Sequence, residues 1–352
     1  MYLITGGSGF IGSALVRALV EREHVPVVNV DRLTYAANPL SLADLANAPN
    51  YHFEQIDICD AATLRRTFAQ YHPEAVFHLA AESHVDRSID APQDFVRTNV
   101  VGTATLLGEA RRYWQTMSGA RARAFRFVHV STDEVFGSLG ADGIFSESSR
   151  YHPGSPYSAS KAGSDHLVRA WHHTYGLPVI VTHSSNNFGP RQFPEKLIPL
   201  TILNALADRP VAVYGRGENV RDWLHVDDHV DALLAIHARG RVGDTYAVSA
   251  GNERRNIDVV HAICDLVDAV APRPSGAARR DLIHFVADRP GHDFRYALDA
   301  SKLRTELGWR PGRDFESALA DTVRWYVDTP HWWEPLRRGI YEGERIGLGS
   351  EA

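Results

Sequence analysis

Short apolar runs alternate with amphipathic stretches over the first half of the chain. The runs predict strands at residues 2–5, 25–30, 52–56, 75–80, 125–130 and 179–183. Between them, apolar residues recur at helical spacing, as at Ile11, Leu15 and Leu19, and residues 94–112 predict a long helix. Strands that alternate with helices are typical of βαβ units. We therefore predict an α/β fold with a Rossmann-type doubly wound parallel sheet.

The pattern changes after about residue 186, where prolines interrupt the chain at Pro190, Pro194, Pro199 and Pro210. The regular alternation of strands and helices ends there, which predicts a smaller C-terminal α/β lobe. We expect residues 1–185 to form the Rossmann domain, with later segments returning to it. Residues 186–340 should form mainly the second lobe, and residues 341–352 a loose tail.

Composition and charge argue against several classes of protein. Among 352 residues, 44% are hydrophobic and 23% are charged, as in ordinary globular enzymes. The formal net charge of −6 and the lack of a long basic run argue against a nucleic-acid partner. The sequence has no apolar stretch of about 18 residues for a membrane span, and no signal peptide is expected. Cys59 and Cys264 suggest neither a disulfide framework nor a metal site, so we expect a cytoplasmic protein without a metal.

A glycine-rich turn follows the first predicted strand and opens the first predicted helix. Gly6, Gly9 and Gly12 would allow a tight turn and a close approach of the backbone to a pyrophosphate at the helix N-terminus. Asp31 ends the second strand about 20 residues after Gly12, where a carboxylate can bind a ribose diol. Because its charge would repel a 2′-phosphate, the sequence favours NAD over NADP.

Two other segments follow strands and could face the same nucleotide. Asp57 could reach the adenine edge, or it could cap a helix that starts near Asp60, and the spacing leaves both interpretations open. Leu79, Ala80 and Ala81 end the fourth predicted strand, where small side chains would let a nicotinamide ribose lie close.

Proton-handling groups follow the fifth predicted strand. The apolar run of this strand is followed directly by Ser131, Thr132, Asp133 and Glu134. These residues would lie at the carboxyl end of the strand, where α/β proteins bind ligands. One carboxyl group could donate a proton while the other accepts one. The alternative is that the two carboxylates cap a following turn.

A tyrosine and a lysine are spaced for one face of a helix. Tyr157 and Lys161 are four residues apart, and Pro156 before them suits a first helical turn. A neighbouring ammonium and the positive nicotinamide ring would favour the phenolate, so Tyr157 could act as a base near neutral pH. An isolated pair of this spacing is often a surface pair, but the glycine-rich turn and the strand ending in Ser131 and Thr132 favour the chemical role.

Together these features resemble the extended short-chain dehydrogenase/reductase superfamily. Blocks that agree in order with the dTDP-glucose 4,6-dehydratases lie at residues 81–88, 131–137, 185–199, 219–225 and 289–293. The resemblance extends from the first strand to about residue 340. It implies an NAD-dependent lyase of deoxysugar biosynthesis that converts dTDP-glucose to dTDP-4-keto-6-deoxyglucose. The implied steps are oxidation at C4, loss of water across C5–C6 and return of the hydride to C6.

The resemblance also implies a role for each proton-handling residue. Tyr157, beside Lys161, would take the proton of the sugar 4-hydroxyl while Thr132 aligns the 4-oxygen. Glu134 would remove the C5 proton, and Asp133 would protonate the departing C6 hydroxyl. Asp133 must then be protonated when substrate is bound, which requires a pKa raised by burial or by Glu134.

The resemblance further assigns a cofactor shell and a substrate pocket. NAD would contact Gly6, Gly9, Phe10, Ile11, Gly12, Asp31, Asp57, Ile58, Leu79, Ala80, Ala81, Ser83, Thr98, Tyr157, Lys161 and Asn187. The sugar nucleotide would contact Ser83, Thr132, Asn186, Lys196, Leu197, Ala212, Val213, Tyr214, Arg221, Asn256 and His292. Arg221 stands in an apolar context that favours a phosphate contact, and an ion pair with Asp222 or Asp227 is the alternative.

Three residues depart from the family's usual pattern, since Phe136 and Phe188 stand where tyrosine is common and His183 stands where asparagine is expected. None belongs to the proton-handling set. Other functions stay open: the same reaction on UDP-glucose, a sugar-nucleotide 4-epimerase or decarboxylase, and a non-catalytic NAD-binding protein. An epimerase has no need of the Asp133–Glu134 pair. The resemblance implies a homodimer, with the helices at 94–112 and from Tyr157 as the candidate interface.

Overall fold

A seven-stranded parallel sheet forms the centre of the computed structural model, which describes residues 1–288 and 291–339. The strands in these ranges are β1 (Tyr2–Thr5), β2 (Val27–Asp31), β3 (Tyr51–Gln55), β4 (Ala75–His78), β5 (Arg126–Thr132), β6 (Val179–Ser184), β7 (Asn186–Phe188), β8 (Val211–Tyr214), β9 (Val220–His225), β10 (Thr245–Val248), β11 (Glu253–Arg255) and β12 (Ile283–Val286). The α-helices are α1 (Phe10–Arg17), α2 (Ala61–Tyr71), α3 (Val85–Asp90), α4 (Pro92–Phe95), α5 (Thr103–Trp114), α6 (Gly119–Ala124), α7 (Pro156–Tyr175), α8 (Leu197–Leu206), α9 (Val226–Arg239), α10 (Asn256–Val270), α11 (Ser301–Leu307), α12 (Phe315–Asp328) and α13 (Pro330–Gly339). Wider π-helical turns occur at Ala18–Arg22 and Val96–Gly102, and tighter 3₁₀ turns at Pro39–Leu45, Asp133–Phe136 and Arg279–Leu282.

The strand order of the main sheet is β10-β6-β5-β4-β1-β2-β3, and every neighbouring pair is parallel. The predicted Rossmann-type doubly wound sheet is therefore confirmed. The six predicted strands all form, and their ends differ from the prediction by about two residues or less, a margin that is usual for strand ends. The strand order reverses between β1 and β4, because the chain runs outwards from β1 through β2 to β3 and then starts again at β4 on the other side of β1. At such a reversal the connections diverge and leave a crevice at the carboxyl ends of the two strands.

Alternating side chains of each strand bury the two faces of the main sheet. Leu3 and Val76 pack with residues of α2, α5 and α7 on one face. Ile4 and Phe77 pack with residues of α1 and α9 on the other. Successive strand residues point to opposite faces, so a sheet covered on both sides needs strands that are apolar throughout. This explains the uninterrupted apolar runs of the sequence.

The long helix predicted at residues 94–112 is present but not uniform. It runs without a break from α4 through the wide turns of Val96–Gly102 into α5. Asn99, in the wide turns, accepts from the Glu82 backbone N–H at 2.9 Å and donates to Ser160 at 2.8 Å. Wide turns often mark functional sites. Here the two hydrogen bonds of Asn99 hold the wide turns against the loop after β4 and against α7.

The C-terminal part of the chain builds a smaller α/β unit and also returns to the main sheet. β9 pairs with β7 and β11, β8 pairs with β12, and a core that includes Phe188, Trp223, Ile263, Leu319 and Tyr326 lies beneath them. β10, however, joins the main sheet beside β6. The tail predicted at residues 341–352 lies outside the described residues. Within the described ranges, the structure has no helix that is both long and apolar enough to cross a membrane.

Candidate active site

A cleft of about 300 Å³ opens at the carboxyl ends of β1, β4, β5 and β6. It brings together all of the cofactor residues and proton-handling residues expected from the sequence: Gly6, Gly9, Phe10, Ile11, Gly12, Asp31, Asp57, Ile58, Leu79, Ala80, Ala81, Ser83, Thr98, Thr132, Asp133, Glu134, Tyr157, Lys161 and Asn187. Of the expected substrate residues, Asn186 and Lys196 also line it. The predicted nucleotide turn and the predicted proton-transfer set are thus two walls of one cavity.

The glycine-rich turn is shaped by close backbone contacts. Gly6 has a positive φ of +74°, and a Cβ atom there would lie 2.7 Å from the backbone nitrogen of Ala80. A Cβ atom on Gly12 would lie 2.0 Å from the carbonyl oxygen of Gly6. Neither position tolerates a side chain, because backbone atoms cannot move aside as a flexible side chain can. The turn therefore brings the start of α1 directly against the ends of β1 and β4.

The two acidic residues expected near the nucleotide have different surroundings. Asp31 accepts from the backbone N–H groups of Ser8 at 3.0 Å and Leu33 at 2.8 Å, and burial raises its pKa. Asp57 accepts from the backbone N–H of Cys59 at 2.8 Å. The cap of α2 is Asp60 itself, whose side chain accepts from two backbone N–H groups of the first turn. Asp57 does not cap this helix, and it faces the cleft.

Several polar atoms on the cleft wall fit a dinucleotide. Within the described part of the chain, Thr98 Oγ1, Asn186 Oδ1 and Asp133 Oδ2 are buried without a hydrogen-bond partner. Buried polar atoms of native proteins are nearly always paired, so ligand atoms are the natural partners for these three. The helix that follows Gly9 has no side-chain cap, which leaves backbone N–H donors for a phosphate. The residues present therefore fit NAD.

The proton-transfer wall begins where β5 passes into a 3₁₀ turn. Thr132 ends the strand, and its hydroxyl lies 3.4 Å from Asp133 Oδ1 and accepts from the Glu134 backbone N–H at 3.3 Å. Asp133 is buried, and burial together with the neighbouring Glu134 carboxylate raises its pKa well above the usual value. A raised pKa favours the protonated form of the carboxyl group, which can donate a proton. The raised pKa agrees with the expectation from the sequence.

Tyr157 and Lys161 project from the first two turns of α7. Ser155 caps this helix in a capping box with Ser158, and Pro156 occupies its first turn. The Lys161 ammonium donates to the carbonyl oxygen of Val130 at 2.9 Å, which ties α7 to β5. Burial lowers the pKa of Lys161 to about 8.

The ionisation of Tyr157 is set by burial and by the charges around its ring. Burial and then the Glu134 carboxylate raise its pKa, whereas a hydrogen bond with Thr132 lowers it. The expectation from the sequence rested on both Lys161 and the positive nicotinamide ring, and in the protein without the cofactor burial and the nearby carboxylates prevail. A further positive charge beside the ring is needed before Tyr157 becomes a base near neutral pH.

The C-terminal unit supplies the remaining wall of the cleft. Asn187 Oδ1 lies 2.9 Å from His229 Nδ1, and the Asn187 carbonyl oxygen accepts from Gln192 at 2.9 Å. Lys196 donates to the carbonyl oxygen of Ser83 at 3.2 Å, across the cleft from its own segment. These contacts join the two parts of the chain at the mouth of the cavity.

Seven expected substrate residues do not line this cleft: Leu197, Ala212, Val213, Tyr214, Arg221, Asn256 and His292. Tyr214 and His292 face each other with ring centroids 6.1 Å apart. The Arg221 guanidinium donates to the carbonyl oxygens of Val220, Asp293 and Phe294 and lies 4.4 Å from the centroid of the Tyr296 ring. Arg221 still reaches the site electrostatically, because its charge opposes the raised pKa of Asp133.

Other cleft residues were not singled out from the sequence. Arg32 donates to Glu82 at 2.7 Å and lies 3.5 Å from Asp57, so it links the ends of three strands. Glu195 lines the cleft and accepts from Arg87 at 3.0 Å. Glu82 and Glu195 both stand inside blocks that carried the resemblance, which was the available signal. Their ion pairs join distant segments and have no signature in the sequence.

A dinucleotide cleft with a buried acid, a carboxylate and a tyrosine–lysine pair in one wall defines an NAD-dependent enzyme of the extended short-chain dehydrogenase/reductase class. Within the described ranges, no cluster of three metal-ligating side chains accompanies it. The family model described as GDP-mannose 4,6 dehydratase matches residues 3–322. The chain belongs to this family, within its group of dTDP-glucose 4,6-dehydratases.

Individual relatives support this membership. A Neisseria meningitidis protein named dTDP-glucose 4,6-dehydratase is 58% identical, over 99% of this chain and 99% of its own. An Escherichia coli protein of the same name is 53% identical over 98% and 99%. A crystal structure of the Streptomyces venezuelae dTDP-glucose 4,6-dehydratase with NAD bound is 45% identical, with a TM-score of 0.87 over 95% of this chain and 99% of that one. The resemblance noted from the sequence is confirmed.

Proposed function

We propose that this protein dehydrates dTDP-glucose to dTDP-4-keto-6-deoxyglucose with NAD as a cofactor that is restored in each cycle. The observation that carries the proposal is the convergence of Asp133, Glu134 and Tyr157 on one cleft that the glycine-rich turn also lines. The relatives named for this reaction, at more than half identical residues over nearly the whole chain, support the same conclusion.

The cofactor would lie along the glycine-rich turn and the ends of β2 to β5. Gly6, Gly9 and Gly12 would accommodate its pyrophosphate, Asp31 its adenosine ribose, and the Leu79–Ala81 segment and Thr98 its nicotinamide side. When bound, NAD supplies a reversible acceptor for the hydrogen that leaves C4 and returns to C6. Its positive ring also supplies the charge that lowers the pKa of Tyr157.

Tyr157 and Thr132 would handle the proton of the sugar 4-hydroxyl. The Thr132 hydroxyl hydrogen-bonds the 4-oxygen and holds it against Tyr157, which takes the proton as C4 is oxidised. Lys161 stays charged one helical turn away and favours the phenolate. The resulting 4-ketone acidifies the hydrogen at C5.

Asp133 and Glu134 would carry out the elimination. Glu134 takes the proton from C5, and Asp133 gives its proton to the C6 hydroxyl, which leaves as water. The two neighbouring carboxyl groups can hold these opposite roles because burial and the Glu134 charge keep Asp133 protonated. Return of the hydride to C6 together with a proton at C5 would then saturate the C5–C6 double bond.

The reaction can be tested by incubating the purified protein with dTDP-glucose and with UDP-glucose in parallel. We expect the dTDP sugar to lose the mass of one water and to give a product with the alkali-induced absorbance of a 4-keto sugar. Faster conversion of UDP-glucose would contradict the proposed nucleotide. A product isomeric with the substrate would indicate an epimerase, and no product from either sugar would indicate a protein that only binds NAD.

We propose that the sugar nucleotide extends from the cleft into the C-terminal unit. Residues 1–185 would then act as the NAD-binding domain, together with β10, and residues 186–340 mainly as the substrate lobe. Arg221, Tyr214 and His292 lie outside the cleft lining, so they would reach the diphosphate or base only if the bound nucleotide runs past the cleft mouth. Asn256, Leu197 and the Ala212–Val213 segment would contribute in the same way.

We infer that the protein works as a homodimer in the cytoplasm. Val96 and Val101, in the wide turns of Val96–Gly102 that precede α5, are 45% and 50% exposed, and such side chains are suited to an interface. Cys59 and Cys264 are both unpaired thiols, which suits a reducing compartment. Light scattering on the purified protein checks the mass, and cell fractionation checks the compartment.

A further inference from the structure

A buried carboxylate that the proposed reaction does not use lies in the middle of α7. Asp165 follows Lys161 by one helical turn, and its side chain is fully buried. It accepts hydrogen bonds from His129 at 3.0 Å, Ser131 at 2.9 Å, Tyr151 at 2.8 Å and His183 at 2.9 Å. Ser131, Tyr151 and His183 all lie against Oδ2, and His129 lies against Oδ1, so both oxygens of the carboxylate are hydrogen-bonded.

The donors keep this carboxylate ionised. Burial opposes ionisation, but the hydrogen bonds from His129 and His183 outweigh it and hold the pKa of Asp165 well below its usual value. Burial lowers the pKa of His129 to about 4, so this imidazole is neutral at pH 7 and supplies no positive charge. His183 lies in contact with the carboxylate and also favours its charge. Because a buried charge is costly, a further cation near Asp165 would add to this stabilisation.

Lys161 is the buried cation on the same face of α7. Residues four apart on a helix are neighbours. The Lys161 ammonium donates to the carbonyl oxygen of Val130 on β5. The residues on either side of Val130, His129 and Ser131, both hydrogen-bond Asp165. The ammonium and the carboxylate are thus connected through one strand and one helix without touching each other.

Other ionisable groups face this pair from each neighbouring element. Tyr157 precedes Lys161 on α7, and Asp133 and Glu134 follow β5. His78 on β4 lies 5.2 Å from His129, ring to ring, and burial lowers its pKa well below the usual value. His183 comes from β6, and Tyr151, with Arg169 near its ring, comes from the segment before α7.

We propose that Asp165 is the buried counter-charge that keeps Lys161 in its ammonium form beside Tyr157, a positioning residue that acts on the chemistry only through its charge. The inference rests on the proposed function, because it assigns Asp165 a part in setting the pH at which that function operates.

The direction of the effect follows from the charges. The negative charge of Asp165 raises the pKa of Lys161, against the lowering effect of burial. The same charge also raises the pKa of Tyr157. Removing its negative charge therefore lowers the pKa of both groups. The rising limb of a pH–rate profile, set by Tyr157, and the falling limb, set by Lys161, both move to lower pH. With an effective dielectric constant near 20, the shift is about one to two pH units for Lys161, one helical turn from Asp165, and about one unit for Tyr157, two turns away.

The test is the pH profile of kcat/KM for dTDP-glucose in wild type and in Asp165→Asn. We expect the optimum of the variant to move to lower pH by about one to two units. A profile that falls equally at every pH would indicate a structural role and overturn the proposal, as would an unchanged profile. The double variant Asp165→Asn/Lys161→Arg should lose the downward shift of the falling limb, because arginine keeps its proton throughout.

Tyr151→Phe is the matched control. It removes one hydrogen bond from Asp165 and leaves its charge, so we expect lower stability with the optimum unchanged. A shift in Tyr151→Phe as large as that in Asp165→Asn would contradict the role of the charge.

A direct measurement covers the case in which Asp165→Asn does not fold. In the wild-type holoenzyme, nitrogen NMR of labelled lysine reports the pKa of Lys161 itself. A pKa above 7 supports the proposal, and a Lys161 that is neutral at pH 7 overturns it. This readout needs no turnover, so a protein that fails to dehydrate dTDP-glucose would refute the proposed function without deciding this question.

Discussion

At the scale of single residues, the site depends on two neighbouring carboxyl groups in different states. Asp133 is buried and its pKa is raised, so it keeps a proton that Glu134 helps to retain. Thr132 lies against both residues through its hydroxyl. The pair could be predicted because a strand ending in adjacent acids is unusual in a sequence, and only the structure gives the burial that separates their roles.

Asp133→Asn tests the acid. Asparagine keeps the size and burial but has no proton to give, so we expect water loss to slow by about 10²- to 10⁴-fold while oxidation at C4 changes little. Rapid-mixing absorbance of the reduced cofactor, with mass analysis of the sugar, separates the two steps. An equal loss in both steps would show that Asp133 is not the acid.

Tyr157→Phe tests the base. The ring keeps its packing against Phe95, but the oxygen that takes the 4-hydroxyl proton is gone, so oxidation at C4 itself should fall by at least about 10²-fold. Transient absorbance of the reduced cofactor measures this step. Tyr175→Phe, an exposed position on the same helix, is the control and should behave as wild type. Normal reduction in the Tyr157 variant would exclude the proposed base.

The hydrogen-bond partners of some residues could not be predicted from the sequence, for a physical reason. Arg221 was expected at a phosphate because a charge in an apolar segment needs a partner. In the structure three backbone carbonyl oxygens accept from its guanidinium. Backbone acceptors leave no mark on residue types. The hydrogen-bond donors of Asp165 could not be predicted either, because they come from two strands and a loop that are far apart in the sequence.

At the scale of elements, six of the seven strands of the main sheet could be predicted, and β1, β2, β4, β5 and β6 are buried on both faces, unlike β3 at the sheet edge. β10 was not predicted. β1, β5 and β6 form within about two residues of the expected positions. The wide turns of Val96–Gly102 could not be predicted, since a shift in the backbone hydrogen-bond pattern requires no particular residue types. They matter because Thr98 faces the cleft from them.

Gly12→Ala tests the nucleotide turn. The added methyl group would lie 2.0 Å from the Gly6 carbonyl oxygen, so the turn must open, and we expect at least about tenfold weaker NAD binding together with lower stability. Gly140→Ala is the matched control. Gly140 is exposed and nothing lies within 4 Å of a Cβ atom there, so that variant should bind NAD normally and keep the stability of wild type. Calorimetry with NAD and urea unfolding measure both effects.

At the scale of the whole molecule, the cleft is closed by contacts between distant parts of the chain. Arg87, after β4, is paired with Glu195, and the Arg87 guanidinium lies 3.8 Å from the centroid of the Tyr35 ring. Lys196 reaches the Ser83 carbonyl oxygen in the same region. The sequence predicted two parts and a shared ligand, but it did not predict which side chains would hold the parts together.

Buried histidines make the whole fold sensitive to acid. Burial lowers the pKa of His129 and His237 to about 4 and that of His229 to about 3. Because their unfolded pKa is about 6.5, the unfolded chain binds more protons below that pH. Stability should therefore be complete above about pH 6.5 and fall steadily as the pH drops towards 4.

Urea unfolding at pH 7, 6 and 5 measures this dependence. His237→Gln should reduce the loss between pH 7 and 5, whereas His173→Gln, at an exposed position, should leave it unchanged. Equal urea midpoints for wild type at pH 7 and pH 5 would contradict the expected linkage.

The place of β10 has a consequence for biosynthesis. β6 is buried along its whole length, and β10, the strand that pairs with its outer edge, follows only about 60 residues later in the chain. Until Thr245–Val248 leaves the ribosome, the nascent protein carries a bare apolar sheet edge that can pair with another chain. Premature release before that segment should yield aggregates rather than a free nucleotide-binding domain.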